Sequence, residues 1–417
     1  MDAFFFPAFQ GEFRLSLGSK RSEMSPVASR GGITNLWRHE EARPTKFLGL
    51  LEFHRFRQKM GHKWPSEAKK AQKNIKMNHV RLERARRLLC SLGACIRDAV
   101  VKERNKGKRN FANVAGVTPA DTIYRVDRIS EAAILSWFDE KWPFSWPVEL
   151  VYEGIEGEPG MTFPRGTPTS KTMFKCIIDP IDGTRNLMHD KRSAWVLSGL
   201  APQKGSATHL GDIAVAVMTE IPTSRQWRSD QLSAILGGGP RGVVATAVDV
   251  RFPARRTRPV TIVPTSATNC LHGFASLVRF FPEGKILTSK IEERLWDELY
   301  RSKARPLVPV FEDQNITTGG QLYGLMAGHD CMIGDIRPLV FAKLRNASAR
   351  SLVCHPYDIC TGLILTESGG VLEAPDGRPL CEPLDTTTPV AWVGYANGAL
   401  ARQIRPALRR AIREVLG

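Results

Sequence analysis

Between Met77 and Glu103, the apolar residues Val80, Leu82, Leu88, Leu89, Leu92, Ile96 and Val100 recur at helical intervals, with Arg and Lys between them. The spacing predicts an amphipathic helix whose polar face is strongly basic. A second helix is predicted over Arg128–Lys141, with Ile129, Ala132, Ala133 and Trp137 inward and Pro143 closing it. The pattern then changes to short runs of Val, Ile and aromatic residues bounded by turn formers, which predict strands at Val148–Tyr152, Phe174–Ile178, Trp195–Leu200 and Ile213–Ile221. A Gly/Pro/Arg-rich stretch, Gly237–Gly242, separates these from a second set. Strands are predicted there at Val243–Val250 and Pro259–Val263, and helices at Glu292–Tyr300 and Gly319–Ala327. Ile359–Glu367 predicts a helix that Ser368-Gly369-Gly370 closes, and Val371–Glu373 begins a strand. The succession predicts an α/β sandwich of two linked halves, 76–236 and 237–417. Residues 1–75 lack a sustained pattern and are expected to be a poorly ordered or weakly helical basic extension. No internal repeat is present.

Composition adds limits. The chain has 417 residues, 42% of them hydrophobic, which supplies a sizeable core and excludes a disordered chain. No run approaches the roughly 18 apolar residues of a membrane span, so no membrane partner is expected. Met1–Gln10 is apolar but has no basic start and no long apolar continuation, unlike a secretory signal. The net charge of +17 is concentrated: residues 51–110 carry 18 Lys/Arg against 5 Asp/Glu, whereas 111–417 carry 34 against 32. A basic stretch of this kind suits either an anionic partner or a solvated tail and helix face. No zinc-finger spacing, helix-turn-helix pattern or aromatic interleaving accompanies it, so a nucleic-acid partner is not expected. The 8 cysteines form no C-x-x-C pair and fit the buried thiols of a reducing, cytoplasmic compartment.

The chemistry is concentrated in Cys176-Ile177-Ile178-Asp179-Pro180-Ile181-Asp182-Gly183-Thr184-Arg185-Asn186. An apolar strand runs into two carboxylates three residues apart, then a glycine and a hydroxyl at a predicted helix start. At a strand end, Asp179 and Asp182 can aim at one point. Convergent carboxylates are costly unless neutralised, and a hard divalent cation such as Mg²⁺ is the usual solution. The backbone N–H groups of Gly183 and Thr184 would then face an anion. An EF-hand is excluded because Ile181 stands where that loop needs an acid, and the D-x-D-x-T motif of aspartyl-phosphate enzymes is absent. His189 and His355 have no partners at i, i+4 and are not expected to be metal ligands.

The string Asp179-Pro180-Ile181-Asp182-Gly183-Thr184 matches at every position the D-P-[IL]-D-G-T signature of the inositol monophosphatase family. These are Mg²⁺-dependent, lithium-sensitive phosphatases with relatives acting on fructose bisphosphate and on phosphorylated adenosine nucleotides. Tyr357-Asp358-Ile359-Cys360-Thr361-Gly362, continuing to Glu367-Ser368-Gly369-Gly370, resembles the second signature, W-D-x-A-x-G…E-x-G-G, with Tyr357 in place of Trp. The resemblance runs from about Met77 to the C-terminus. It implies the layered α-β-α-β-α sandwich of the inositol monophosphatase and fructose bisphosphatase type. It also implies hydrolysis of a small phosphorylated polyol or sugar by a water activated on two or three Mg²⁺ ions. A bisphosphate nucleotidase, a sugar bisphosphatase, or a non-catalytic member binding nucleic acid through the basic segment are the alternatives. The family often pairs, so a homodimer is implied by analogy.

Carried over residue by residue, the resemblance makes Asp179, Asp182, the carbonyl of Ile181 and Asp358 metal ligands. Glu153, at the end of a predicted strand, completes the set, with Glu156 as its alternative because Gly154 replaces the family's usual second acid. Asp127 would hydrogen-bond Thr184, and the pair would orient the attacking water. Gly183 and Thr184 would hold the phosphate. In His329–Pro338, Asp335 could accept from a polyol and Arg337 could meet a second phosphate; the alternative is an Asp–Arg ion pair stabilising the loop.

Overall fold

A single strand, β5 (Phe174–Asp182), runs through the middle of the molecule and separates two hydrophobic cores. The computed structural model describes residues 66–106, 114–117, 122–154, 161–252, 256–304, 306–345 and 352–417, with the side chains of 66–78, 114–117, 122–125 and 127 excepted. Side chains alternate along a strand, so Ile177 faces one core while Cys176 and Ile178 face the other. Its neighbour β6 (Ala194–Pro202) behaves alike: Trp195 and Leu197 point one way, Ala194 and Val196 the other.

The sheet built around β5 has eight strands in the order β10-β9-β8-β7-β6-β5-β3-β4. β3 (Val148–Tyr152), β4 (Met161–Phe163), β7 (Val215–Ile221), β8 (Arg228–Ile235), β9 (Val244–Asp249) and β10 (Arg258–Pro259) complete it. Every pairing is antiparallel except β3 with β5, which run parallel. That exception brings the C-terminal ends of β3 and β5 to the same edge. A separate hairpin, β1 (Val114–Val117) with β2 (Thr122–Tyr124), precedes this sheet in the chain.

One face of the sheet is covered by α1 (Ser66–Asn105) and α2 (Arg125–Lys141) through Leu89, Leu92, Ile96, Ile134 and Phe138, all buried. Full burial of such side chains stabilises by about 1.5–3 kcal/mol each. The other face receives α5 (Thr318–Met326), through Leu322 and Leu325, and α8 (Gly362–Glu367), through Ile364 and Leu365. Beyond these helices lies a four-stranded sheet, ordered β11 (Phe274–Leu277), β12 (Asp330–Asp335), β14 (Trp392–Tyr395) and β13 (Val371–Glu373). Helices α4 (Lys285–Tyr300) and α9 (Gly398–Leu416) pack on it and on each other. The architecture is the expected α-β-α-β-α sandwich, and residues 67–417 form one unit.

Several sequence expectations need correction. α1 begins at Ser66, eleven residues before the apolar pattern, because its first turns are built from Ala, Lys, Glu and Gln, which favour helix without any buried stripe. The rest of the 1–75 extension, up to residue 65, lies outside the described residues. Of the predicted strand Pro259–Val263, only Pro259 lies in β10, and the Val260 N–H donates to the Ala245 carbonyl at 3.0 Å just beyond it. Asp330–Asp335, expected within a loop, is strand β12. The predicted helix Ile359–Glu367 is two helices, α7 (Pro356–Ile359) and α8, broken at Cys360-Thr361. Between β12 and α7 stands a further helix, α6 (Arg337–Leu344), which the pattern does not predict.

Candidate metal centre

Residues three apart on a regular strand face opposite sides, yet Asp179 and Asp182 serve one point. The register shows how: Asp179 pairs with Leu197 and Asp182 with Trp195, so β5 spends three steps where β6 spends two. This bulge inserts one residue and turns Asp182 back to the face of Asp179. Pro180 lies inside it, where a missing N–H costs no ladder bond. The N–H of Ile181 donates to Oδ1 of Asp179 at 3.0 Å and locks the bend.

Asp358 comes from the other half of the sandwich, on the single-turn helix α7. Its Oδ2 accepts the His355 N–H at 2.6 Å while its own N–H donates back to the His355 carbonyl at 3.1 Å. Carboxylate oxygens of Asp179, Asp182 and Asp358 lie within 4.8 Å of one another. Asp179 is 1% exposed and Asp182 6%, while Asp358 is half-buried.

Glu153 is not part of that trio, but it follows β3 on the shared edge, and its N–H donates to the Ile178 carbonyl at 3.3 Å. Its charge reaches Asp179. Glu156, the alternative ligand, lies outside the described residues, as does the side chain of Asp127, whose backbone is in α2. Thr184, the first residue of the short helix α3 (Thr184–Met188), donates its hydroxyl hydrogen to the Ile181 carbonyl at 3.0 Å.

Electrostatics describe a site short of positive charge. Burial pushes the Asp179 carboxyl well above the ordinary carboxylate range, and the charges of Glu153, Asp182 and Asp358 push it further. Asp182 is raised by burial and then by Asp358, against the N–H groups that hold it. Those N–H groups were not foreseen from the sequence. Thr318 donates to Oδ1 of Asp182 at 3.3 Å and Gly319 to Oδ2 at 2.5 Å, so the first turn of α5 is capped by a carboxylate from β5. Thr317 caps Gly320 at 2.9 Å. The signal was present as Asn315-Ile316-Thr317-Thr318-Gly319-Gly320, a threonine cap before paired glycines.

Two glycines allow this approach. Gly183 has φ +96°, and a Cβ there would stand 2.1 Å from Cγ2 of Thr317. A Cβ on Gly319 would stand 2.8 Å from Leu197 and 3.0 Å from Oδ2 of Asp182.

Asp335 and Arg337 are spent on each other. Nε of Arg337 donates to Oδ1 of Asp335 at 2.8 Å and Nη2 to Oδ2 at 2.5 Å, while Nη1 donates to the Leu352 carbonyl at 2.5 Å. The guanidinium lies over the Phe280 ring at 4.7 Å, and both residues are buried. This is the ion pair that stood as the alternative to a substrate contact. His355 is buried and stacks on Tyr357, whose hydroxyl lies 3.3 Å from its Nδ1.

Neither a scan of protein-family models nor a search of curated proteins matches this chain. Solved structures do. The extragenic suppressor protein SuhB of Bartonella henselae superposes with a TM-score of 0.51 at 17% identity, covering 79% of this chain and 98% of that one. A Pyrococcus horikoshii protein described as similar to inositol-1 monophosphatase gives 0.51 at 15%, covering 78% and 98%. Fructose-1,6-bisphosphatase of Leishmania major, in holo form, gives 0.52 at 13%, covering 78% and 92%. The chain has the fold that these proteins share.

Proposed function

We propose that this chain is a metal-dependent phosphomonoesterase that hydrolyses a small phosphorylated polyol or sugar. The reading rests on one observation: Asp179 and Asp182 from β5 and Asp358 from α7 converge within 4.8 Å. The donor set fits Mg²⁺, being all oxygen, rich in carboxylate and rigidly held. The upward push on Asp179 and Asp182 is the cost of gathering these acids without a cation. Asp179, Asp182, Asp358 and Glu153 would hold the ions, with the Ile181 carbonyl beside them. When bound, Mg²⁺ lowers the pKa of its water and neutralises phosphoryl oxygens.

The protein's own contribution is positioning. The N–H groups of Thr318 and Gly319 fix both oxygens of Asp182, and the Ile181 N–H fixes Asp179. Thr184, tied to the Ile181 carbonyl, keeps a hydroxyl beside the cluster, where with Asp127 it would orient the attacking water. No nucleophilic side chain is required.

A phosphate-release screen over inositol phosphate, fructose bisphosphate and phosphoadenosine phosphate, with Mg²⁺ or with excess EDTA, tests the reading and ranks the substrates. Release that needs Mg²⁺ is the expected result. Full turnover in EDTA would overturn it.

A further inference from the structure

A cavity of about 720 Å³ opens along α5, from Gly320 and Gln321 in its first turn to Tyr323 and Gly324, between β6, β7 and the β11–β12 pair. Its volume suits a small molecule. Most of the charge in its wall is already paired. Arg192 donates twice to Asp313, at 2.7 and 2.6 Å, and Glu220 accepts from the Ser193 hydroxyl at 2.6 Å and the Asp230 N–H at 3.0 Å.

Asp330 is different. It opens β12 and is half-buried, and no hydrogen-bond donor among the described residues reaches its carboxylate. It is seated against Gly324, where a Cβ would stand 2.1 Å from Oδ2. Burial, and then the Asp313 charge, push this carboxyl up to about 6, while Arg192 pulls it down. Aromatic rings share its cavity: Trp195 and Tyr323 lie 5.1 Å apart between centroids, and Tyr323 meets His329 at 6.0 Å.

A half-buried carboxylate that faces a cavity shared with aromatic rings, and that no donor among the described residues reaches, is the complement of an N–H-bearing cation with a flat or apolar body. We propose that this cavity is a second binding site, for a small organic cation of the amidinium, guanidinium or primary ammonium class. The cation donates to Asp330 and lays its body against Trp195 and Tyr323. The proposal does not depend on the phosphatase reading. Its occupant would sit on the same helix whose first turn holds Asp182.

Calorimetric titration of the full chain with benzamidine and agmatine, and with benzamide as the uncharged counterpart of benzamidine, tests it. Benzamidine should saturate one site and bind at least about tenfold more tightly than benzamide, the scale of one charge-assisted hydrogen bond. Asp330→Asn should remove that preference, and Tyr323→Leu should weaken benzamidine further. Equal binding of benzamide and benzamidine to the unaltered chain would overturn the proposal without reference to any variant. So would saturable binding by neither amine, or a preference that survives in folded Asp330→Asn.

Discussion

Asp182 and Gly319 are 137 positions apart, yet the amide of Gly319 donates to Oδ2 of Asp182 at 2.5 Å. A candidate metal ligand on the large sheet is thereby also the cap of a helix packed between the sheets. Changing Asp182 therefore has two separable effects. Asp182→Asn keeps one acceptor for the helix and removes the charge. Phosphatase activity should fall by about 10³-fold or more, the scale of losing a group aligned on the reacting atoms, while circular dichroism stays unchanged. Asp182→Ala should also lower stability by about 1–2 kcal/mol through the lost cap, read by urea unfolding.

Gly183 is held at φ +96° with Thr317 against it. Gly183→Ala combines left-handed strain with overpacking, and should cost about 2–4 kcal/mol. Thr317→Ser in the same chain removes the opposing methyl and should restore part of that loss. A double-mutant cycle by chemical denaturation measures the coupling.

The buried pair Asp335–Arg337 predicts a stability defect rather than a binding defect. Asp335→Ala leaves a buried guanidinium without its carboxylate and should destabilise by about 3–5 kcal/mol. At a temperature where the variant stays folded, KM should be unchanged. A raised KM with unaltered stability would instead assign these residues to substrate.

Without metal, the raised carboxyls of Asp179 and Asp182 make the folded chain bind more protons than the unfolded one. Stability contributed by these groups therefore rises as pH falls from neutrality through their raised values, and levels off near the ordinary value of 3.8. The melting temperature of EDTA-treated protein should increase between pH 7.5 and 5.5. Mg²⁺ should raise it most at the upper end. Asp179→Asn should flatten both responses.

Much of this was legible in the sequence. The strand Val148–Tyr152 was placed to the residue, and the D-P-I-D-G-T run announced both the acids and the turn after them. Asp358 was found through its own signature. What escaped was set by tertiary contacts. β8 falls outside the predicted strands because it carries Ser229, Asp230, Gln231 and Ser233, polar residues that break the apolar pattern but are hydrogen-bonded within the structure. The break at Cys360-Thr361 lies inside an apolar run whose periodicity continues across it. The hold of Thr318 and Gly319 on Asp182 joins segments that local spacing cannot relate.

The extra residue in β5 makes the acidic motif a matter of counting rather than of identity. Excising Pro180 or Ile181 would leave the two aspartates two places apart, where plain alternation already keeps them on one face, and would remove the bend that the Ile181 amide ties to Asp179. Were the strand instead to keep its length and pair without the extra residue, the second aspartate would fall opposite Ala194 and swing towards the packing of the long N-terminal helices, leaving a hole in the ion cage and a charge among leucines. What guards the cage is therefore the register of this strand against its neighbour, with one residue between the acids spent without a partner.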